Sequence, residues 1–293
     1  QFYASRSLYT RMRQKSVDLR KIVSTHLERS SKKLDLQLKQ LKDTEKRDKF
    51  KVYGELLNTY GYQVTEGAKS VEVPNYYTGE MLTIPLDETL SPLDNAKKYF
   101  ARYNKLKRTF EALNTQTEET RTEIAHLQTI QAALAIAESE DDLAQIRDEL
   151  ETYGYIRRKM NGKKNQKFKS KPFHYRSSDG FDIYVGKNNF QNDELTFKVA
   201  NGNDWWFHAK GMPGSHVIVK TEGRELPDRT FEEAGRLAGY YSSGRDNEKI
   251  EIDYLQRKNV KKPNGAVAGY VIYYTNYSLT IHPDISGIEK ISE

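Results

Sequence analysis

The 293-residue chain contains no cysteine, which excludes disulfides and thiolate chemistry and fits a reducing compartment. It has no apolar run of about 18 residues, so no segment reads as a membrane-spanning helix. Apolar residues make up 37% and charged residues 30%. That is lean for one compact sphere and suits long solvated helices joined to a globular part. Catalytic signatures are missing as well: there is no P-loop, G-x-S-x-G, H-E-x-x-H or dinucleotide glycine fingerprint. The chain therefore reads as non-enzymatic, with no cofactor and no metal.

Glycine and proline are absent from residues 5–50, which read as one helix. Leu27, Leu34 and Leu41 fall seven apart, with Val23 and Ser30 at intervening positions, giving a thin apolar seam. Gln37, Thr44 and Asp48 interrupt the stripe, so this helix needs a partner. A second helix opens at Ser91-Pro92-Leu93-Asp94, where serine caps and proline takes the first turn. Alternating spacings of four and three then run through Tyr99, Tyr103, Leu106, Phe110, Leu113, Thr117, Thr120, Ile124, Leu127, Gln131 and Leu134.

Two such helices, each on the order of 60 Å long at about 1.5 Å per residue, predict a long antiparallel coiled-coil hairpin. Residues 51–90 form its small tip. There a short helix ends at Gly61, and residues 71–73 and 81–86 alternate as a β-hairpin. Ser139-Glu140-Asp141-Asp142 caps a further helix that Gly154 stops. Thr-Tyr-Gly-Tyr occurs at 59–62 and again at 152–155, and reads as a shared way of ending a helix.

Charge is concentrated rather than spread. Arg157, Arg158, Lys159, Lys163, Lys164, Lys167, Lys169 and Lys171 lie within fifteen residues with no acid among them. Taking those eight from the net +6 leaves the rest near −2. The segment is either a solvated linker or a phosphate-contacting one.

From residue 172 onward the pattern is a mixed α+β domain with a mainly antiparallel sheet and two helices. Strands are expected at 173–176, 181–185, 205–209, 216–220, 249–254, 270–275 and 277–282. Asn192 or Asp193 is expected to cap the first helix, and Thr230-Phe231-Glu232-Glu233 the second. Residues 203–220 hold both tryptophans. Read with period two, Trp206 and His208 share one strand face while Trp205, Phe207 and Ala209 share the other. A strand apolar on both faces is central and covered on both sides. His208 and His216 face each other across this hairpin without a carboxylate beside them, which favours a hydrogen-bonded pair over a metal site.

Arg257, Lys258, Lys261 and Lys262 form a second basic cluster, in a loop ended by Pro263-Asn264-Gly265 and flanked by Tyr254, Tyr270, Tyr273, Tyr274 and Tyr277. Cations for phosphates beside rings for bases suit looped or single-stranded RNA. At least half of these tyrosines are expected to be half-buried strand residues.

The ordered motifs Gly186-Lys187-Asn188-Asn189, Gln191-Asn192-Asp193-Glu194-Leu195-Thr196, Asp204-Trp205-Trp206-Phe207-His208-Ala209, Pro213-Gly214-Ser215-His216-Val217 and Arg257-Lys258-Asn259-Val260-Lys261-Lys262-Pro263 resemble the R domain of the NFACT family. The helical hairpin, with Tyr53-Gly54-Glu55-Leu56-Leu57 at its tip, resembles the family's middle domain. The resemblance covers nearly the whole chain. It implies a coiled-coil middle domain over 1–156 (long helices about 5–50 and 92–136), a basic linker over 157–171 and an R-type domain over 172–293.

The family includes bacterial ribosome-quality-control factors, also called fibronectin-binding protein A in Gram-positive bacteria. The resemblance implies cytoplasmic, ribosome-associated binding of tRNA and the large ribosomal subunit, in support of alanine tailing of stalled chains. The alternative it carries is an adhesin for fibronectin or fibrinogen, shown at the surface without a visible anchor. Because the chain opens at Gln1 in mid-pattern, it reads as a fragment whose missing N-terminal half is a further partner.

Overall fold

The computed structural model describes residues 2–157 and 170–291, with the backbone alone for residues 2–9. By its contacts the chain divides into two compact units, Arg29–Glu123 and Gln1–Glu28 with Ile124–Glu293. Helix α1 (Phe2–Asp43) and helix α3 (Pro92–Ile136) contribute to both.

In the unit 29–123, α1 ends at Asp43 and a separate α2 (Arg47–Tyr60) follows, where sequence pointed to one helix over 5–50. Three-residue turn bonds interrupt the ladder, Thr44 N–H to Leu41 C=O and Arg47 N–H to Thr44 C=O, both at 3.0 Å. No glycine or proline marks this break, and its effect is to re-aim the buried face. Phe50, Tyr53, Leu56 and Leu57 of α2 pack with Ala96 of α3 and with Val73 and Ile84 of a two-stranded hairpin. Its strands, β1 (Ser70–Pro74) and β2 (Met81–Pro85), are antiparallel, as the alternation predicted. Arg47 lies 4.0 Å over the Phe110 ring and Arg102 lies 4.2 Å over Phe50.

The seam between α1 and α3 in this unit is polar. Gln37 and Thr44, read as interruptions, are buried, as are Ser30, Thr117 and Thr120. Ser30 donates across the seam to Glu123 at 2.9 Å. The threonine hydroxyls turn back to their own helices, Thr117 to Leu113 C=O, Thr120 to Gln116 C=O and Thr44 to Leu41 C=O.

In the other unit, Leu19 and Val23 of α1 and Leu127, Ile130 and Leu134 of α3 pack with Leu143, Ile146 and Leu150 of α4 (Glu140–Thr152). Gln131 is exposed and Ile130 takes its place, because α4 widens the buried face of α3 beyond a single heptad seam. Ser139 and Asp142 cap α4 reciprocally. Gly154, at φ +78°, ends it in the left-handed region, with Tyr155 N–H on Leu150 C=O at 2.9 Å. Gly61, in the other copy of the tetrapeptide, is right-handed at φ −57°, so the two copies share sequence but not geometry.

The sheet follows. Its strands are β3 (Phe173–Arg176), β4 (Asp182–Val185), β5 (Trp205–Ala209), β6 (Val217–Val219), β7 (Ile250–Gln256), β8 (Tyr277–Ile281) and β9 (Glu289–Lys290). They pair antiparallel throughout in the order β8-β7-β5-β6-β4-β3-β9. Phe207, Ala209, Val217 and Val219 join Ala234, Leu237 and Ala238 of α6 (Asp228–Tyr240) on one face. Trp206, Ile218 and Leu255 meet Leu195 and Val260 on the other. The aromatic strand is thus central and covered on both sides, as its two apolar faces require.

Three sequence expectations are corrected here. Residues 270–275 form no strand; an isolated bridge from Ile272 to Lys261 replaces it. The cap of α5 (Asn189–Glu194) is Asn188, whose side chain accepts from Gln191 N–H, and a π turn (Leu195–Val199) continues the helix. Thr230 does not cap α6, which starts at Asp228; its hydroxyl instead reaches Ser177 at 3.1 Å and Asp179 at 2.8 Å.

Candidate nucleic-acid interface

The asparagine-rich motif faces inward. Asn188 Nδ2 donates to Gln145 at 2.7 Å, and Asn189 Nδ2 donates to both Thr129 and Glu149 at 2.7 Å. Gln191 reaches Gln145 and Ser170, each at 2.8 Å. All three are buried, so this face of α5 is spent holding the sheet against α3 and α4. Asn192 accepts from His216 N–H at 3.0 Å.

The other motif residues are equally internal. Asp204 is buried and accepts from Asn201 N–H at 2.7 Å, from Thr221 N–H at 2.9 Å and from the Lys220 ammonium. Burial pushes its carboxyl up, but Lys220 and the backbone donors outweigh that and hold it below the usual carboxylate range. Ser215 N–H donates to Tyr241 C=O at 2.9 Å. Trp206 is fully buried among His208, His216 and Tyr273, and its indole N–H has no acceptor among the described residues.

His208 and His216 do meet across the hairpin, edge to face at 5.6 Å between ring centres. Burial lowers His208 to about 4, and burial together with the neighbouring His208 lowers His216 well below the usual range. His216 Nδ1 lies 2.8 Å from the Thr196 hydroxyl. The pair is neutral, with His216 buried and His208 half-buried, and no metal-holding group of acids and histidines exists among the described residues.

Of the first basic cluster, Arg157 is exposed, while Arg158, Lys159, Lys163, Lys164, Lys167 and Lys169 lie outside the described residues. The second cluster divides by role. Lys262 donates to both oxygens of Asp193, at 2.7 and 3.0 Å, and to Val267 C=O at 2.6 Å. Arg257 is half-buried over the Phe197 ring, with Nε on Thr196 C=O at 2.6 Å. Lys258 and Lys261 are exposed, and no carboxylate pairs with either among the described residues. Exposed, uncompensated cations are the ones with charge to offer a phosphate.

Fewer flanking tyrosines are half-buried than expected. Tyr254 and Tyr273 are, Tyr273 with its hydroxyl on Asp253 at 2.8 Å. Tyr270, Tyr274 and Tyr277 are exposed at 51%, 84% and 63%. For Tyr270 and Tyr274 the corrected strand explains the difference, since a segment tied by one bridge buries less than a strand laid into the sheet; Tyr277 is exposed at the start of the edge strand β8.

A further basic stretch escaped the sequence reading. Lys97, Lys98, Arg102, Lys105, Lys107 and Arg108 follow one another on α3 without an intervening acid. Lys97 and Lys98 are paired with Asp94 and Asp87, whereas Lys105, Lys107 and Arg108 are exposed. The signal was present in the sequence, masked by the heptad pattern laid over it.

Comparison with known proteins identifies two matching family profiles. The profile described as "NFACT N-terminal and middle domains" matches residues 1–169, and that described as "NFACT protein RNA binding domain" matches residues 171–273. The chain is similar to "Rqc2 homolog RqcH" of Streptococcus suis, 39% identical over 99% of this chain and 52% of that protein. It is also similar to the proteins of the same name from Streptococcus pneumoniae, at 36% over 100% and 52%, and Bacillus subtilis, at 35% over 100% and 51%. The chain therefore spans about half the length of the curated relatives it matches. The solved C-terminal part of the fibronectin/fibrinogen-binding protein from Streptococcus suis superposes with a TM-score of 0.76 at 33% identity, covering 96% of this chain and 100% of that one.

Proposed function

This chain belongs to the NFACT family, and from that premise we propose that it is a non-catalytic binding portion of a ribosome-quality-control factor. It binds tRNA and the large ribosomal subunit in the cytoplasm and supports alanine tailing of stalled chains. The observation that carries this reading is the pair of exposed, uncompensated cations, Lys258 and Lys261, on a domain that matches an RNA-binding profile. They are held at the end of β7 by a sheet whose polar motif residues are consumed internally, so binding falls to the loop rather than to the motif. No constellation of nucleophile, base and oxyanion donors was read in the sequence, which supports binding rather than chemistry.

Titration of tRNA and of isolated large subunits with the chain, at a series of salt concentrations, tests this. Affinity should fall with salt by about 0.7–0.9 log units per tenfold for each neutralised phosphate. Binding that is absent, or indifferent to salt, would overturn the proposal.

A second reading, an adhesin for fibronectin or fibrinogen, rests on the name of the solved relative alone. Saturable binding of the chain to immobilised fibronectin, retained after nuclease treatment, would support it; no binding would remove it.

A further inference from the structure

Lys261 and Ile272 form an isolated antiparallel bridge, closed by N–H to C=O bonds in both directions at 2.9 Å. Across such a pair the two side chains point to the same side, and alternate residues of an extended segment share that side. Tyr270 and Tyr274 stand two residues before and after Ile272, so the bridge brings Lys261 to the middle of the segment that carries both rings. Val260, Val271 and Tyr273 pack with Trp206 and Ile272 is half-buried, while Tyr270, Lys261 and Tyr274 are exposed. Asp253 steadies the segment by accepting from the Tyr273 hydroxyl and Asn276 Nδ2, both at 2.8 Å.

The result is an exposed cation bridged by its backbone to a segment that carries two exposed rings and is pinned from beneath. The neighbouring Lys262 is neutralised by Asp193, so of the two lysines Lys261 alone carries free charge.

We infer that Tyr270, Lys261 and Tyr274 form a stacking site for unpaired RNA bases, with the rings on successive bases and the Lys261 ammonium on the phosphate between them. Ring faces can be used only by bases that are not already stacked in a helix; a duplex offers them only its phosphates and 2′-hydroxyls. The site thus selects looped or single-stranded RNA over duplex. This rests on the RNA-binding reading above and narrows it to a ligand class and three residues.

The test uses the full chain with a single-stranded RNA of about 12 nucleotides and with the same sequence annealed into a duplex. Tyr274→Ala, alone and with Tyr270→Ala, should weaken single-strand binding roughly 5- to 150-fold per lost base stack and leave duplex binding unchanged. Tyr274→Phe, which keeps the ring, should bind like the parent chain. Lys261→Glu should weaken both ligands. Circular dichroism verifies that each variant is folded. Alanine variants that bind single strands as well as the parent, while Lys261→Glu still weakens both RNAs, would overturn the stacking site and leave a phosphate-only RNA binder. A parent chain that binds neither RNA would overturn the site and the RNA-binding reading together.

Discussion

Asn189 on α5 donates through Nδ2 to Glu149 on α4 at 2.7 Å, and the carboxylate it meets is completely buried. His126 Nε2 lies 3.0 Å from the same oxygen, while the second carboxylate oxygen has no hydrogen-bond partner among the described residues. One amide therefore carries much of the compensation for a carboxylate held away from water.

Asn189→Ala should consequently destabilise the unit that contains the sheet by about 1.5–3 kcal/mol, the range for a hydrogen bond to a charged group. Both tryptophans, Trp205 and Trp206, lie in that unit, so urea unfolding followed by indole emission reads it directly. An unchanged midpoint would show that the α4–α5 contact contributes nothing to stability.

Gly54→Ala tests the other unit. Alanine normally gains about 1 kcal/mol over glycine inside a helix. Here the added Cβ would stand 2.8 Å from two atoms of the Phe100 ring. The crowding should reverse the sign, to a net loss of about 1–3 kcal/mol. Far-ultraviolet dichroism should record it as an earlier loss of helix.

Acid sensitivity follows from the histidine pair. Their folded values lie below the ordinary 6.5, His208 at about 4, chiefly through burial, so the fold prefers both neutral. The stability this preference contributes is complete above about pH 6.5 and is lost as pH falls toward the folded values, at up to about 1.4 kcal/mol per unit for each site. Denaturant midpoints measured from pH 7 to pH 4 should decline, and His208→Gln should flatten the decline. A stability independent of pH over that window would refute the assignment.

Neighbouring lysines should behave oppositely. Lys262→Glu places a carboxylate against Asp193 and removes the donor to Val267 C=O, so it should lower stability. Lys261→Glu changes an exposed side chain and should leave stability within about 0.5 kcal/mol while weakening RNA binding. Thermal melts paired with tRNA titrations separate the two effects.

The extent to which the sequence disclosed this fold depended on where its signals were periodic. The hairpin of β5 and β6 and the two faces of the aromatic strand followed from strict alternation, and α4 from its cap. The break at Thr44 was invisible because the turn uses ordinary helix-forming residues, with no glycine or proline. Tyr270–Thr275 looked like a strand because tyrosine, valine and isoleucine favour one, yet tertiary packing gave the segment a single bridge. Within the candidate site, the basic loop was legible from composition. The separation of Lys261 from Lys262 was not, because it depends on Asp193, about seventy residues away in sequence.

The threonines in the seam between α1 and α3 have a consequence for breathing motions. Because Thr44, Thr117 and Thr120 bond to their own helices, parting the helices there breaks none of those hydrogen bonds. The Ser30–Glu123 bond and the packing of residues such as Leu113 oppose separation there. Amide protons along this stretch should therefore exchange with deuterated solvent sooner than those beside Leu127, Ile130 and Leu134, where an apolar three-helix contact must open first.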